Sequence, residues 1–415
     1  MQLVDARGLP RVVVTGMGAV SCVGTGAPAL LDALRTRRHG LRSMDAFAAL
    51  GMRGTTGGPV DGAALPPEPP RKLRRFLAAP ARYAWHAANE ALAQAGVPQE
   101  RLAGADCGLV LGGGAALSEH EGALESHRAR GIAKLSPFLV PRGMSSALSA
   151  GLAQAYGIGG SSYTISSACT SGAHAIGHAM ELVQSGRQNL VIAGGAEELH
   201  PSTAMWFDAM GALSPQADPA RASRPFHRER DGFALAAGAG VLVLESLEHA
   251  LARGARVLAE LAGYGSATDA ASMAGPGTAG IARALRQALD RSGVRPDYVN
   301  AHACGTPGDL AEWQAIATVF TEGGWRLPPV SSIKGLLGHA PGAAGALDAI
   351  ACLLMLEHRF LAAGAPLEDP DPAFAGCPLL AANREQAVDA VLSSSFGFGG
   401  SCAALLFKRL AGAET

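Results

Sequence analysis

Short apolar runs alternate with longer helical stretches along this chain. The runs are almost continuous in Val, Ile, Leu, Ala and Gly, a composition typical of strands that are buried on both faces of a sheet. The predicted strands occupy residues 11–18, 107–114, 162–168, 189–198, 239–248, 297–305 and 390–400. Apolar positions at helical spacing predict helices between them, for example over 81–96 and 280–293. This alternation predicts an α/β fold with a largely buried sheet.

A weak internal repeat accompanies the pattern. EALAQAGV (90–97) precedes DCGLVLGGG (106–114), and QALDRSGV (287–294) precedes DYVNAHACG (297–305). Both pairs predict a helix, a Gly-Val turn and a strand that begins at Asp and runs into a Gly-containing loop. A duplicated αβ half would produce this likeness, but helix–turn–strand units resemble one another in many proteins. The repeat alone leaves both explanations open.

Composition and charge exclude several classes of protein. Of the 415 residues 48% are hydrophobic and 17% charged, which suits one large or two medium domains around an extensive core. The 34 Lys and Arg against 35 Asp and Glu give a net charge of −1. A neutral chain is not expected to bind nucleic acid or a membrane surface in general, so any electrostatic docking must use a local patch.

The cysteines and the start of the chain predict a reducing, cytoplasmic location. The seven cysteines are odd in number and form no C-x-x-C pair, which disfavours zinc ribbons and thioredoxin-like redox sites. Scattered free thiols are typical of a reducing compartment. Asp5 and Arg7 lie where a secretory signal would be apolar. The uncharged stretch 143–180 is rich in Ser and Gly, so we interpret it as protein core and not as a membrane span.

One cysteine lies where a predicted strand meets a predicted helix. Cys169 follows the run 162–168, and helical spacing begins near Ser171. Unpaired N–H groups of a first helical turn stabilise a thiolate, which would lower the pKa of the thiol and make it a nucleophile. An inert buried cysteine fits the segment equally well. His174 and His178 have the i,i+4 spacing of metal ligands, but no further ligand completes a site, so structural roles are favoured.

Two histidine loops and a glycine-rich loop could supply its partners. His302 ends a predicted strand in YVNAHACGTPGD, and Lys334 and His339 lie in the Gly-rich SSIKGLLGHAPGAAG. Open α/β sheets gather their chemistry at such strand ends. The segment SSSFGFGGS (393–401) can turn backbone N–H groups toward an oxyanion. Together these groups suit acyl transfer through a thioester, or stabilisation of an enolate.

The ordered set of motifs resembles the β-ketoacyl-acyl-carrier-protein synthases, the condensing enzymes of synthase I/II type in the thiolase superfamily. The segments that carry the likeness are VVVTGMGAVSCVG (12–24), SSACTSGAHAIGHA (166–179), GGAEELH (194–200), FDAMGALS (207–214), SRPFHRERDGF (223–233), LEHALARGARV (247–257), GYGSATDAASM (263–273) and SFGFGGSCAALLFK (395–408). The likeness extends over nearly the whole chain. The EELH and FDAMGALS segments are closer to the synthase I branch than to synthase II.

The resemblance implies a thiolase-type fold, in which two similar halves are stacked as five layers, αβαβα. The first half, 1–255, would carry Cys169. The second half, 256–415, would carry both histidine loops and the Gly-rich loop of Phe398. The family usually forms homodimers, and some members pair with a chain-length-factor-like homologue that lacks the cysteine. Retention of Cys169 implies that this chain is the active member of any such pair. Neither nucleic acid nor membrane insertion is implied.

The resemblance also implies a reaction, the decarboxylative Claisen condensation of an acyl thioester with malonyl-acyl-carrier protein. Cys169 would accept the acyl chain, and His302 and His339 would promote decarboxylation and hold the enolate. The N–H groups of Cys169 and Phe398 would form the oxyanion hole, and the Phe398 ring would act as a gate for acyl chains. No metal or other cofactor is implied, because the substrates are carried on the phosphopantetheine of the carrier protein.

Further residues receive supporting roles from the same resemblance. Lys334 would lie beside the histidines with Asp309 and Glu312 in its charge network, and Thr306 would contact pantetheine. A basic surface would dock the acidic carrier protein, although a solvated helix face is the simpler interpretation of the same charges. The docking residues implied are Lys72, Arg75, Arg130 and Lys134.

Departures from the family pattern favour an altered pocket and a specialised polyketide, polyene or polyyne pathway over housekeeping fatty-acid synthesis. HACGTPGD is one residue shorter than usual, and Cys304 stands where a threonine normally contacts pantetheine. GHAPGAAG replaces the more common GHLLGAAG. Two alternatives stay open: a thiolase that uses Cys402 as a second cysteine, and a non-catalytic chain-length partner in a heterodimer.

Overall fold

The computed structural model of the chain describes residues 2–62, 65, 68–275 and 277–410. The strands are β1 (Val12–Ser21), β2 (Gly24–Thr25), β3 (Arg42–Ser43), β4 (Thr56–Gly58), β5 (Cys107–Gly112), β6 (Ser162–Ile165), β7 (Leu190–Glu197), β8 (Leu235–Ala236), β9 (Gly238–Ser246), β10 (Ala259–Thr268), β11 (Tyr298–Asn300), β12 (Val330–Ser331), β13 (Phe360–Leu361), β14 (Arg384–Glu385), β15 (Ala390–Gly397) and β16 (Ser401–Lys408). The helices are α1 (Ala27–Thr36), α2 (Asp45–Ala49), α3 (Arg71–Arg74), α4 (Ala79–Ala95), α5 (Gln99–Leu102), α6 (Leu117–Arg130), α7 (Leu139–Gly143), α8 (Ala147–Tyr156), α9 (Ser171–Gln184), α10 (Pro201–Ala209), α11 (Leu247–Ala252), α12 (Thr278–Ser292), α13 (Gly308–Glu322), α14 (Lys334–Leu337) and α15 (Pro341–His358).

The main sheet has 11 strands, which are two runs of five strands with the same topology and the short β2, which pairs with β1. One run has the order β6-β5-β7-β9-β1 and the other β12-β11-β15-β16-β10. When the strands of each run are numbered by their order in the sequence, the first strand pairs antiparallel with the fifth, and the fifth pairs antiparallel with the fourth. The second strand pairs parallel with both the third and the fourth. An antiparallel contact between β1 and β10 joins the runs. The weak sequence repeat thus corresponds to repeated strand order.

Helices cover both faces of each run and separate the two. α4 packs on β1 and β9, and α12 packs on β10 and β16. Between the runs, α9 contacts β7, while α15 contacts both β9 and β15. Every residue of α15 from Pro341 to Leu356 is buried, as expected for a helix that is apolar all round. The predicted thiolase-type α/β fold with layers αβαβα is confirmed.

The same packing device recurs in both halves. A Cβ on Gly18 of β1 would lie 2.0 Å from the carbonyl oxygen of Ala87 in α4. A Cβ on Gly265 of β10 would lie 1.9 Å from the carbonyl oxygen of Ala284 in α12. Glycine therefore lets each outer helix approach its sheet more closely than any side chain would permit.

The apolar pattern predicts most of the strands and misses two long ones. β10 is rich in Ala and Gly, and β16 follows β15 after only three residues. Neither strand is therefore separated from its surroundings by clear turn signals. The Gly-rich segment that contains Lys334 and His339 is only partly a loop, because α14 and the start of α15 lie within it. Its glycines allow close contact between helices. A Cβ on Gly345 of α15, for example, would lie 2.7 Å from Ala173 of α9. None of the helices in the described ranges is long and apolar enough to cross a bilayer.

We expect Gly18→Ala and Gly265→Ala each to destabilise the fold by about 3 kcal/mol, because overpacking against backbone cannot be relieved by a side-chain rotation. Urea denaturation monitored by circular dichroism measures this loss. Gly122→Ala in α6 is the matched control, since nothing lies within 4 Å of its Cβ position. Wild-type stability in either variant would contradict the packing described.

Candidate active site

Cys169 lies in a tight connection between β6 and α9, as the sequence predicts. Ala168 has φ 51°, a left-handed conformation that is unusual for a residue with a side chain. The Ser171 hydroxyl accepts from the backbone N–H of Ser167 at 2.9 Å and donates to the carbonyl of Ala168 at 2.7 Å. These bonds hold the turn, and Cys169, which is 5% exposed, lines a cavity.

His339 is in direct contact with the thiol. Its Nε2 lies 3.0 Å from Sγ of Cys169. The backbone around His339 is held from both directions, because its N–H donates to the carbonyl of Ala234 at 2.8 Å and its carbonyl accepts from Ala236 at 2.9 Å. The ring of Phe233 stands edge-on to the imidazole, with centroids 5.1 Å apart. Backbone and side chain are therefore both positioned by the segment 233–236.

His302 completes the group. It follows β11 at the carboxyl end of the sheet, and its ring centroid lies 5.2 Å from that of His339 at an interplanar angle of 90°. Its ring also packs on Phe396, at 4.4 Å. Cys169, His302 and His339 all line one cavity of about 360 Å³. Residues from four distant parts of the sequence thus converge on one site.

Burial decides the charge state of these three groups. It raises the pKa of the Cys169 thiol to about 12, lowers the pKa of His339 to about 3, and lowers the pKa of His302 well below its usual value. The sequence-based prediction of a lowered thiol pKa is wrong, because desolvation outweighs the unpaired N–H groups of the first helical turn. The resting pair is a neutral thiol beside a neutral imidazole, which is positioned to take the proton as the sulfur reacts.

Lys334 contributes the positive charge closest to the site. It lowers the pKa of Cys169, His302 and His339, in each case as a smaller effect than burial. Its Nζ lies 2.7 Å from Oδ2 of Asp348 in α15, and both side chains are 2% exposed. Sequence reasoning missed Asp348, although it is the single charged residue in the apolar stretch 340–356.

Asp309 and Glu312 serve the backbone of the first histidine loop instead of pairing with Lys334. Glu312 accepts from the N–H of His302 at 2.7 Å and of Ala303 at 2.9 Å, and it also bonds the hydroxyl of Ser394. Asp309 accepts from three amides between residues 304 and 306, at 3.1 to 3.2 Å. Burial raises the pKa of Glu312 to about 7. The two carboxylates thus determine the path of the loop that carries His302.

The glycine-rich loop lies against Cys169. A Cβ on Gly397 would lie 2.9 Å from the backbone nitrogen of Cys169, and Phe398 lines the cavity. The Phe398 ring stacks on Phe207 at 5.9 Å, and Phe207 contacts Phe233 at 5.4 Å. Phe207 lies in the motif FDAMGALS and Phe233 in SRPFHRERDGF, and sequence analysis predicts no role for either ring. A chain of aromatic contacts therefore links the predicted gate to His339.

Thr306 and Cys304 both line the cavity, and their Oγ1 and Sγ atoms are 3.7 Å apart. Cys402, by contrast, lies in the core of the second half, where its thiol donates to the carbonyl of Gly400 at 3.5 Å. His174 bonds the hydroxyl of Ser167 through Nδ1 at 2.9 Å. Across the described ranges no cluster of three or more His, Cys, Asp or Glu residues could hold a metal ion.

The basic residues predicted to dock a partner are exposed on two neighbouring segments. Lys72 lies in α3, and the guanidinium of Arg75 stands 5.0 Å from the ring of Phe138. Phe138 follows the short 3₁₀ turn that ends at Lys134, and Arg130 ends α6. The contact between Arg75 and Phe138 therefore brings α3 close to the segment that follows α6.

Comparisons with known proteins agree with this geometry. The family model for the β-ketoacyl synthase N-terminal domain matches residues 10–250, and that for the C-terminal domain matches 258–368. The 3-oxoacyl-[acyl-carrier-protein] synthase 1 of Haemophilus influenzae is 41% identical over 410 residues, covering 97% of this chain and 100% of that protein.

Solved structures are similar over the same length. A β-ketoacyl synthase from Burkholderia phymatum has a TM-score of 0.90 at 34% identity, covering 96% of this chain and 99% of its own. The ishigamide ketosynthase/chain length factor has a TM-score of 0.87 at 33% identity, and the match covers 97% of this chain and 100% of the chain in that structure.

We expect Lys334→Met to destabilise the fold by about 3–5 kcal/mol, because it leaves the Asp348 carboxylate buried without its cation. The double variant Lys334→Met/Asp348→Leu should recover most of that loss, since both charges are then removed. Chemical denaturation of the two variants measures the difference. A single variant no less stable than the double would contradict the pairing.

Proposed function

Since this chain belongs to the β-ketoacyl synthase family, we propose that Cys169, His302 and His339 carry the chemistry of the family's condensation. The chain is a condensing enzyme that joins an acyl thioester to malonyl-acyl-carrier protein with loss of CO2, in fatty-acid or polyketide synthesis. The observation that carries the residue roles is the 3.0 Å contact between Sγ of Cys169 and Nε2 of His339.

The first half-reaction moves the acyl chain to Cys169. The sulfur attacks the thioester carbonyl while its proton passes to Nε2 of His339, because a thiol with a pKa of about 12 does not ionise in advance. The N–H groups of Cys169 and Phe398 hold the tetrahedral oxyanion. Collapse of this intermediate expels the pantetheine sulfur, which takes the proton back from His339.

The second half-reaction generates and uses a carbanion. Malonyl thioester loses CO2, and the electron pair passes into an enolate whose oxygen His302 and His339 hold by hydrogen bonds. The carbanion attacks the Cys169 thioester, and collapse of the new oxyanion releases the β-ketoacyl product and the Cys169 thiolate, which then takes up one proton from solvent. Nδ1 of both histidines has no hydrogen-bond partner among the described residues. Either tautomer is therefore available, so that His339 can accept a proton in one step and donate a hydrogen bond in the other.

The surface of Lys72, Arg75, Arg130 and Lys134 is our proposed docking site for the carrier protein, whose acidity it complements. Thr306, at the cavity wall, would contact the pantetheine arm. We further propose that two subunits pair, as a homodimer or with a chain-length-factor-like homologue. β6 supports this pairing, because it ends the strand order of the main sheet and keeps partly exposed residues.

Three broader assignments accompany this function. The two halves divide at residues 255 and 256, a boundary supported by family models that end at 250 and begin at 258. The location is cytoplasmic, since all seven cysteines are free thiols. The pathway is a specialised one, because the altered residue Cys304 lines the cavity itself.

The thiolase alternative is disfavoured by the position of its second cysteine. Cys402 lies in the core of the second half, and its thiol bonds a carbonyl of its own chain segment. A non-catalytic role as a length-setting partner is disfavoured by the complete set of Cys169, both histidines and Lys334 around one cavity.

We expect Cys169→Ala to fold like the wild type and to lose condensation, because the substitution removes the acyl acceptor and little volume. Product formation from labelled malonyl-carrier protein measures activity, and intact mass measures acylation of Cys169. Acetyl exchange without malonate in the wild type would instead favour the thiolase alternative. An absence of any acyl adduct on Cys169 would favour the non-catalytic one.

We expect Lys72→Glu/Arg75→Glu to raise KM for malonyl-carrier protein about tenfold with kcat retained, and more strongly at low salt. Malonyl-pantetheine, which lacks the carrier protein, should be used equally well by variant and wild type. Arg295→Glu is the matched control, because this exposed residue precedes β11 and lies at the opposite end of that strand from His302. An unchanged KM in the double variant would contradict the docking surface.

A further inference from the structure

The turn that carries His339 ends at a helix whose N-terminus has no cap of its own. α15 begins at Pro341, and its N-cap residue, Ala340, has no side-chain hydrogen bond to offer. The unpaired N–H groups of such a first turn need an acceptor when they are buried. Here Oε2 of Glu197, at the end of β7, accepts from the N–H of Gly342 at 2.9 Å. A carboxylate from a distant strand thus caps the helix that follows His339.

The same junction sets the distance between nucleophile and base. A Cβ on Gly172, three residues after Cys169, would lie 3.0 Å from the carbonyl oxygen of Gly342. A Cβ on Gly195 of β7 would lie 2.2 Å from that oxygen. α9, α15 and β7 therefore meet backbone to backbone directly behind the thiol–imidazole pair, and a shift of α15 there would move His339 relative to Cys169.

The first histidine loop has a similar arrangement. Glu312 bonds the N–H groups of His302 and Ala303, while Glu197 bonds the N–H of Gly342 three residues after His339. Each catalytic histidine thus lies in a segment whose backbone is bound by a carboxylate from another element. We propose that Glu197 is the positioning residue of His339, and that its carboxylate, bonded to Gly342 where α15 meets Gly172 of α9, places a negative charge near Cys169. This inference rests on the proposed roles of Cys169 and His339.

The charge of Glu197 acts on the ionisation of the Cys169 thiol in a defined direction. The charge of Glu197 raises the pKa of Cys169. Burial raises the pKa of Glu197 itself to about 7, the amide of Gly342 opposes that shift, and the charge of Glu198 adds to it. The first turn of α15 contributes no ionisable side chain, and α9 contributes His174, which is bonded to Ser167. Glu197 therefore gains its charge across neutral pH, and above that range it disfavours the thiolate.

The test compares Glu197→Gln with Glu197→Ala. Glutamine keeps an oxygen acceptor for Gly342 and removes the charge, whereas alanine removes both. We expect condensation to fall about tenfold or more in Glu197→Ala, since misplacement of a catalytic group by about 1 Å can cost 100-fold, and to be largely retained in Glu197→Gln.

The second readout is the rate of Cys169 alkylation by iodoacetamide between pH 5.5 and 8.5. The ratio of Glu197→Gln to wild type should rise from about one at the acid end to about threefold at the alkaline end, because only the wild type gains a negative charge that opposes the thiolate. A purely structural role gives a ratio that does not depend on pH. Glu357→Gln is the matched control, because that carboxylate lies near the other end of α15, where it pairs with Arg256 at 2.9 Å, and its ratio should stay near one.

Wild-type condensation in Glu197→Ala, or a ratio for Glu197→Gln that is constant with pH, would overturn the inference. Should the alanine variant fail to fold, the alkylation ratio of the glutamine variant still decides the electrostatic part. Both outcomes differ from a failure of the proposed function, in which the wild-type enzyme itself would not form product from malonyl-carrier protein.

Discussion

The contact between the Cys169 sulfur and the His339 ring is the interaction on which the rest of this structure depends. The two residues are 170 positions apart and belong to different halves of the fold, so no local segment can set their 3.0 Å separation. It is set where α9 and α15 cross between the two runs of the sheet. Glycines at that crossing let the backbones touch, and close-packed backbones transmit small displacements instead of absorbing them. The buried central layer is therefore part of the active site.

Burial gives this site its chemical character as well as its geometry. A thiol and two imidazoles inside the protein are all held neutral, so the resting enzyme does not present an exposed thiolate to other electrophiles. A neutral thiol is a weak nucleophile, so it must lose its proton during attack. In the proposed mechanism the adjacent imidazole takes that proton, and a neutral imidazole can also donate a hydrogen bond to an enolate oxygen. Lys334 lowers the thiol pKa, by less than burial raises it.

Local pattern was sufficient for the α/β class, for most strands and for the junction at Cys169, because buried strands and helix starts have signatures of their own. The convergence of His302 and His339 required the family resemblance, since nothing local relates residues 169, 302 and 339. Two features lay beyond both approaches. The raised thiol pKa depends on burial that only the assembled fold creates, and Asp348 becomes the partner of Lys334 only once α15 is placed beside α14.

The distribution of rigid and adjustable contacts follows from these demands. The histidine segments are held through their backbones, by the carboxylates of Glu312 and Glu197 and by the strand at 234–236. Phe398 is held differently: its ring touches Phe207 by stacking, a contact without directional hydrogen bonds. Stacked rings can slide at low cost, whereas a bonded amide cannot leave its acceptor without loss. A cavity wall built in this way can admit acyl chains of different size while the distance between thiol and imidazole stays the same.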